Sequence, residues 1–243
     1  MPEGPSIIIL REASSSFAGK KVLAVSGNSK VDIARADGKV VLAFKNWGKH
    51  FFICFKDFTI KIYFLLFGSY RINEARATES RLSLQFKSGV MNFYACSVKI
   101  LEDDLHEIYD WSADVMSDSW NAKAAKRKLL KAPETLVYDA LLDQNIFAGS
   151  GNIIKNEVLF RTQIHPKSHV GALPVRKLNE LIKEVGNYSF DFLKWKKVFV
   201  LRKHWLAHTK KTCPRCHIPL VKEYMGTHHR RTFFCKKCQT HYQ

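Results

Sequence analysis

The spacing of hydrophobic positions changes along the chain. In Pro5–Phe17, Ile7, Leu10 and Phe17 fall near one face of a helix, and Gly19 is placed to end it. The pattern then turns to short runs of strand character. K-V-L-A-V-S, starting at Lys21, alternates between two faces. V-D-I-A-R-A-D-G-K-V-V-L-A-F, starting at Val31, predicts a hairpin turning at Asp37-Gly38. H-F-F-I-C-F and F-T-I-K-I-Y-F follow, and R-L-S-L-Q-F-K-S-G-V-M-N-F-Y-A-C predicts a second hairpin at Lys87–Gly89. So many short strands in succession predict an N-terminal antiparallel β-sandwich.

Beyond Trp111 the chain becomes polar and then basic, and A-K-A-A-K-R-K-L-L-K reads as a join between domains. From Pro133 the period is helical. P-E-T-L-V-Y-D-A-L-L-D-Q opens with Pro and Glu, as first turns do, and the helix is expected to end near Ala148. A-G-S-G-N interrupts it, and a second helix resumes at Asn152. Two more helices are expected over Val175–Val185 and Phe192–Leu206. The resulting fold class is α+β and multidomain. A sandwich occupies 1–119, a helical domain 120–206 and a small metal-binding module 207–243. No apolar run approaches the roughly 18 residues that span a bilayer, and the start lacks the order of a signal peptide. A cytoplasmic, monomeric protein with no membrane partner is the expectation.

Charge sharpens this division. The net charge is +17, yet residues 1–119 hold 15 Lys and Arg against 14 Asp and Glu, while residues 120–243 hold 24 against 8. The excess thus sits in the second half, and a polyanion, most commonly a phosphate backbone, is the partner such asymmetry suits.

Cys213-P-R-Cys216 and Cys235-K-K-Cys238 form two C-x2-C turns. Four thiolates so spaced close a tetrahedral shell around one zinc ion, leaving no open position, so the metal is expected to be structural and no catalytic metal is implied. His217, His228, His229 and His241 are close in sequence, but four sulfurs suffice. Between the pairs, Arg230 and Arg231 fall on the hairpin that the metal would brace, where a guanidinium can grip phosphate bidentately. Cys54 and Cys96 stand in apolar strands and read as small buried hydrophobes.

Two further stretches carry chemistry. In M-P-E-G-P-S, removal of Met1 would leave Pro2 as a secondary amine beside the acid Glu3. In A-G-S-G-N, glycines admit close approach of the backbone at a helix start, where anions are attracted, and Asn152 is placed to cap that helix, to hold a phosphate, or both, since the two roles are compatible.

M-P-E-G-P at the start, L-D-Q-x-x-x-A-G-x-G-N in the middle and C-x2-C…R-x-T-F-F-C-x2-C-Q at the end occur in this order over essentially the whole chain. In this the sequence resembles the formamidopyrimidine-DNA glycosylase / endonuclease VIII family. The resemblance implies a bifunctional DNA glycosylase and AP lyase acting on double-stranded damaged DNA. Pro2 would be the nucleophile that forms an imine, and Glu3 the general acid/base. Lys49, in W-G-K-H-F-F, would contact phosphate and assist elimination. Asn152, in a helix–two-turns–helix motif over about 134–163, and the finger's Arg230 would bind phosphate, and Arg230 would act in the last of the β- and δ-elimination steps. Glu157 matches a family glutamate of supporting role. Leu65, Leu66 and Phe67 align with the wedge that fills the hole left by a flipped base, and their failure to alternate predicts a loop tip. That wedge and N-F-Y-A-C-S resemble the endonuclease VIII branch, so oxidised pyrimidines are the expected substrates. Formamidopyrimidine and 8-oxoguanine, or damage binding without catalysis, are the alternatives. Ser6 stands where the family commonly has glutamate, and His229 where it commonly has glycine.

Overall fold

The computed structural model describes residues 2–226 and 229–243. Of the positions raised above, Met1 and His228 lie outside them. The chain divides into two compact units, Met1–Tyr109 and Asp110–Gln243.

The first unit is built on β1 (Val22–Ser26), β2 (Ala43–Trp47), β3 (His50–Cys54), β4 (Thr59–Ile72), β5 (Leu82–Phe86) and β6 (Gly89–Leu101). These form one continuous antiparallel sheet in the order β1-β5-β6-β4-β3-β2. Alternation works as expected in β5, where Leu82, Leu84 and Phe86 are buried while Ser83 and Gln85 are not. The hairpin at Lys87–Gly89 is present, with Phe86 opposite Gly89. Helix α1 (Gly4–Ser14) packs on β2 and β3, and its Ile7 and Leu10 share a core with Phe51 and Ile53. A short α2 (Leu105–Ile108) follows the sheet. The hairpin expected over 31–44 is not what forms. Ile33–Ala36 is a 3-10 helix. Its buried residues, Ile33 and Ala36, are three apart, which is helical rather than strand spacing. Gly38 does supply a turn, with φ +69°, but Val40 bridges Lys21 rather than a residue of the first arm.

The second unit holds α3 (Ala122–Leu130), α4 (Val137–Ala140), α5 (Asn152–Arg161), α6 (Val175–Lys197) and a two-stranded hairpin of β7 (Val221–Met225) and β8 (Arg230–Phe234). The stretch read as a join is the helix α3, capped by the Asn121 side chain, which accepts from the Ala124 amide at 3.0 Å. The first helix of the central motif is shorter than expected: α4 ends at Ala140, and turns carry the chain on to Ala148. The first of the two later helices runs on into the start of the second and ends at Lys197, short of the expected Leu206, with a 3-10 helix over Leu201–His204 beyond it. Leu178, Leu181, Ile182, Val185, Tyr188 and Phe192 keep a single buried face through Gly186, where an added Cβ would meet nothing within 4 Å. That face packs on Ile154, Val158 and Leu159 of α5. Among the described residues, no helix is long and apolar enough to cross a membrane.

Candidate functional site

In the first unit, Pro2 is partly exposed and leads directly into Glu3, the residue preceding α1. Glu3 is only 3% exposed, yet its side chain does not cap the helix; its backbone carbonyl accepts from the Ser6 amide at 2.8 Å. Lys49 is also buried, in the two-residue turn between β2 and β3, where Trp47 faces His50 across the strands. Gly48 takes φ +51° there, as the first position of such a turn requires. Beneath this turn the rings of Trp47, His50, Phe52 and Tyr109 pack together, with centroids 4.9 Å apart for Trp47–Tyr109 and 5.5 Å for His50–Tyr109. Burial, reinforced by Lys61, Lys49 and Lys99, lowers the His50 pKa to about 4, so this ring is neutral near pH 7.

Leu65, Leu66 and Phe67 are all exposed, Phe67 by 83%. They do not sit on a hairpin tip. Phe64 pairs with Cys96 and Ser69 with Tyr94, so four residues of β4 stand opposite the single Ala95 of β6, which takes φ +46°. The excess length is thrown out as a bulge within a long strand. Gly68 permits it: a Cβ there would lie 2.7 Å from the Phe64 Cβ and 2.8 Å from the Ala95 carbonyl oxygen. Cys96 is buried, as expected, and burial raises its pKa to about 12; Cys54 is only partly buried, and burial raises it above its ordinary value.

In the second unit, Gly149 takes φ +97° and Gly151 precedes α5. Asn152 is the first residue of the helix and does not cap it, and its buried Oδ1 has no hydrogen-bond partner. The three residues that follow Ile154 do the opposite. Lys155, Asn156 and Glu157 are fully buried. Lys155 Nζ donates to Thr232 Oγ1 at 2.8 Å. Asn156 Oδ1 accepts from the Phe233 amide at 2.9 Å and its Nδ2 donates to the Asn152 carbonyl at 2.7 Å. The Glu157 carboxylate accepts from the amides of Leu206, Ala207 and His208 at 2.9, 2.9 and 2.7 Å. Helix α5 is thereby pinned to β8 and to the segment leading into the cysteine module. Sequence reasoning missed Lys155, Asn156 and Thr232. The available signal was three polar residues inside the apolar run I-I-K-N-E-V-L-F.

Arg230 opens β8 opposite Met225, partly exposed, and its carbonyl accepts from Thr232 Oγ1 at 3.2 Å. His229 has φ +44°, the left-handed conformation that glycine adopts at least cost. The sulfurs of Cys213, Cys216, Cys235 and Cys238 all lie within 4.8 Å of one another, and Cys213 and Cys238 are 3.7 Å apart. Bonds of about 2.3 Å to a tetrahedral zinc place sulfurs about 3.8 Å apart, so the quartet is positioned for that ion. Burial works against ionisation of Cys235, but amides of Cys238 and Lys237 and the neighbouring thiols bring it down to about 7. No other group of three or more metal-ligating side chains occurs among the described residues.

The described residues thus comprise a continuous antiparallel sheet, a helix–two-turns–helix motif and a four-cysteine hairpin. Residues 112–188 match the formamidopyrimidine-DNA glycosylase H2TH domain. The chain is 28% identical over 231 residues to Endonuclease 8-like 3 of Xenopus laevis, covering 90% of this chain and 38% of that protein. It is 34% identical over 196 residues to Endonuclease 8-like 2 of Bos taurus, covering 74% of this chain and 58% of that one. It therefore spans less than two thirds of these relatives. The fold matches that of Lactococcus lactis formamidopyrimidine-DNA glycosylase, solved non-covalently bound to DNA containing an AP site, with a TM-score of 0.86 at 20% identity, over 98% of this chain and 99% of that one. The chain thus carries the H2TH domain of the formamidopyrimidine-DNA glycosylase / endonuclease VIII family, and the relatives it matches are named endonuclease 8-like.

Proposed function

We propose that the protein is a bifunctional DNA glycosylase and AP lyase of base excision repair that removes oxidised bases, pyrimidines before purines, from double-stranded DNA. The observation that carries this reading is the burial of Glu3 beside Pro2 without a capping role, on a helix packed against the two strands whose turn holds Lys49.

In this reading, Met1 is removed and the Pro2 nitrogen lone pair attacks C1′ of a flipped nucleotide. The glycosidic bond breaks and the base leaves with its electron pair and a proton. An α-amino group titrates near pH 7.7–8.0, so a useful fraction is neutral at physiological pH. Glu3 protonates the sugar ring oxygen as the ring opens, giving an iminium between Pro2 and C1′. That cation acidifies C2′. Loss of a C2′ proton expels the 3′ phosphate, and a second elimination expels the 5′ phosphate. Lys49, Asn152 and Arg230 hold phosphates, Leu65, Leu66 and Phe67 occupy the vacated stack, and one structural zinc on the four cysteines braces the hairpin carrying Arg230. Contacts to phosphate make binding salt-sensitive.

Borohydride trapping tests this directly. Met1-free protein would be incubated with labelled duplexes carrying dihydrouracil or 8-oxoguanine, with Pro2→Gly as control. A covalent adduct that Pro2→Gly diminishes is expected, strongest on dihydrouracil. A stronger adduct on 8-oxoguanine would reassign the branch. Binding to both duplexes with no adduct on either would sink the catalytic reading in favour of damage binding alone.

A further inference from the structure

Helix α6 ends in a turn that the fold would build more cheaply from another residue. The Val200 amide donates to the Trp195 carbonyl at 2.9 Å and the Phe199 amide to the Lys196 carbonyl at 3.1 Å. This is the paired bonding of a Schellman helix end, which demands a left-handed residue at its penultimate position and usually takes glycine. Here that residue is Phe199, with φ +58°. A left-handed conformation costs an ordinary side chain on the order of 1 kcal/mol, and more for a bulky one. No burial offsets it: Phe199 is 95% exposed, and its neighbour Val198 is exposed too. The support around it is firm. Trp195 stacks on His204 with centroids 4.0 Å apart and planes 5° from parallel, and the Arg161 guanidinium lies 5.6 Å from the Trp195 ring centre. A rigid turn thus holds an aromatic ring in water.

The surroundings indicate what the ring meets. From Phe192 to Lys222 the sequence carries nine Lys and Arg and no Asp or Glu. Lys194, Lys197, Arg202 and Lys203 of this stretch are exposed on either side of Phe199. Cations flanking an exposed ring are the recognition chemistry of unstacked nucleobases, in which the backbone is held electrostatically and the base stacks on the ring. A protein partner with an apolar groove would not call for a stretch wholly free of acids.

From this we infer that Phe199 is a base-stacking contact for single-stranded or locally opened DNA, on the second unit and separate from the Leu65–Phe67 bulge of the first. This rests on the DNA reading above. The test uses the full chain, a fluorescein-labelled single-stranded oligonucleotide and a salt series. Phe199→Gly relieves the backbone, so its melting temperature should be equal to or above that of the parent. Its affinity should fall roughly 5- to 150-fold, the range for loss of one base stack. The slope of affinity against salt should not change, because no phosphate contact is removed. Phe199→Trp should retain binding. Parent-like affinity in Phe199→Gly, with the parent binding DNA, would overturn the inference and leave the glycosylase reading standing. A parent that binds a labelled duplex but not the single strand would overturn the inference alone, and one that binds neither would overturn both. A change in self-association on sedimentation, with DNA affinity unchanged, would reassign the ring to a second copy of the chain.

Discussion

Asn152 and Glu157 lie five positions apart on one helix and divide its polar work. The Asn152 side-chain oxygen bonds to nothing in the fold, whereas the Glu157 carboxylate satisfies three backbone amides. Asn152→Ala should therefore leave urea stability within about 0.5 kcal/mol while weakening DNA binding. Glu157→Ala leaves buried donors without an acceptor and should cost about 3 kcal/mol in the same titration. His50 allows a test by pH. Its pKa is about 4 in the folded chain and ordinarily near 6.5. The unfolded chain then binds the proton first, so stability should fall as pH is lowered from about 6.5 towards 4, and His50→Asn should reduce that loss. The cysteine quartet was legible in the sequence because C-x2-C spacing is itself local geometry. The Lys155–Thr232 bond was not, because its partners are 77 positions apart and nothing in either neighbourhood points to the other.

Elements were legible where a period or a dense apolar run was local. Strand β5 lies where alternation put it and α5 where the Gly-Ser-Gly break put it, whereas β3 and β6 were found from their apolar runs, since Phe51 to Ile53 and Met91 to Tyr94 are buried in succession. The misreadings arose at glycines. Asp37-Gly38 is a strong hairpin signal, yet the buried pair Ile33 and Ala36 made a 3-10 turn of the first arm. The helix expected to stop at Val185 runs on through Gly186 in an α6 of 23 residues, and a Cβ at Gly186 would meet nothing within 4 Å. A glycine inside a helix with room for a methyl is correctable: Gly186→Ala should raise stability by about 0.5–1 kcal/mol, read from the urea midpoint. Gly68 is the contrary case. Alanine there would press on the Phe64 side chain and the Ala95 carbonyl, so Gly68→Ala should lower stability by about 1–3 kcal/mol. It should also disturb the bulge that displays Leu65, Leu66 and Phe67.

Across the whole molecule the charge is as uneven by unit as by half. Residues 1–109 hold 15 Lys and Arg and 11 Asp and Glu, and residues 110–243 hold 24 and 11, giving +4 and +13. The second unit therefore governs long-range attraction to phosphate, and charge-reversing changes there should slow association more than equal changes in the first unit, as stopped-flow rates at low salt would show. Stripping metal with a chelator should expose four thiols to a thiol reagent and release one zinc per chain, while the near-ultraviolet signal of the first unit's aromatic cluster persists. The bonds from Lys155, Asn156 and Glu157 to β8 and the 206–208 segment extend that effect beyond the cysteines. A helix sewn to a hairpin in this way cannot open by itself. Amides of α5 and β8 should share one opening free energy in hydrogen exchange, as members of a single foldon, and both should exchange faster when the metal is gone. Zinc supply would then set how long the Asn152 end of the helix stays closed, though no cysteine touches it.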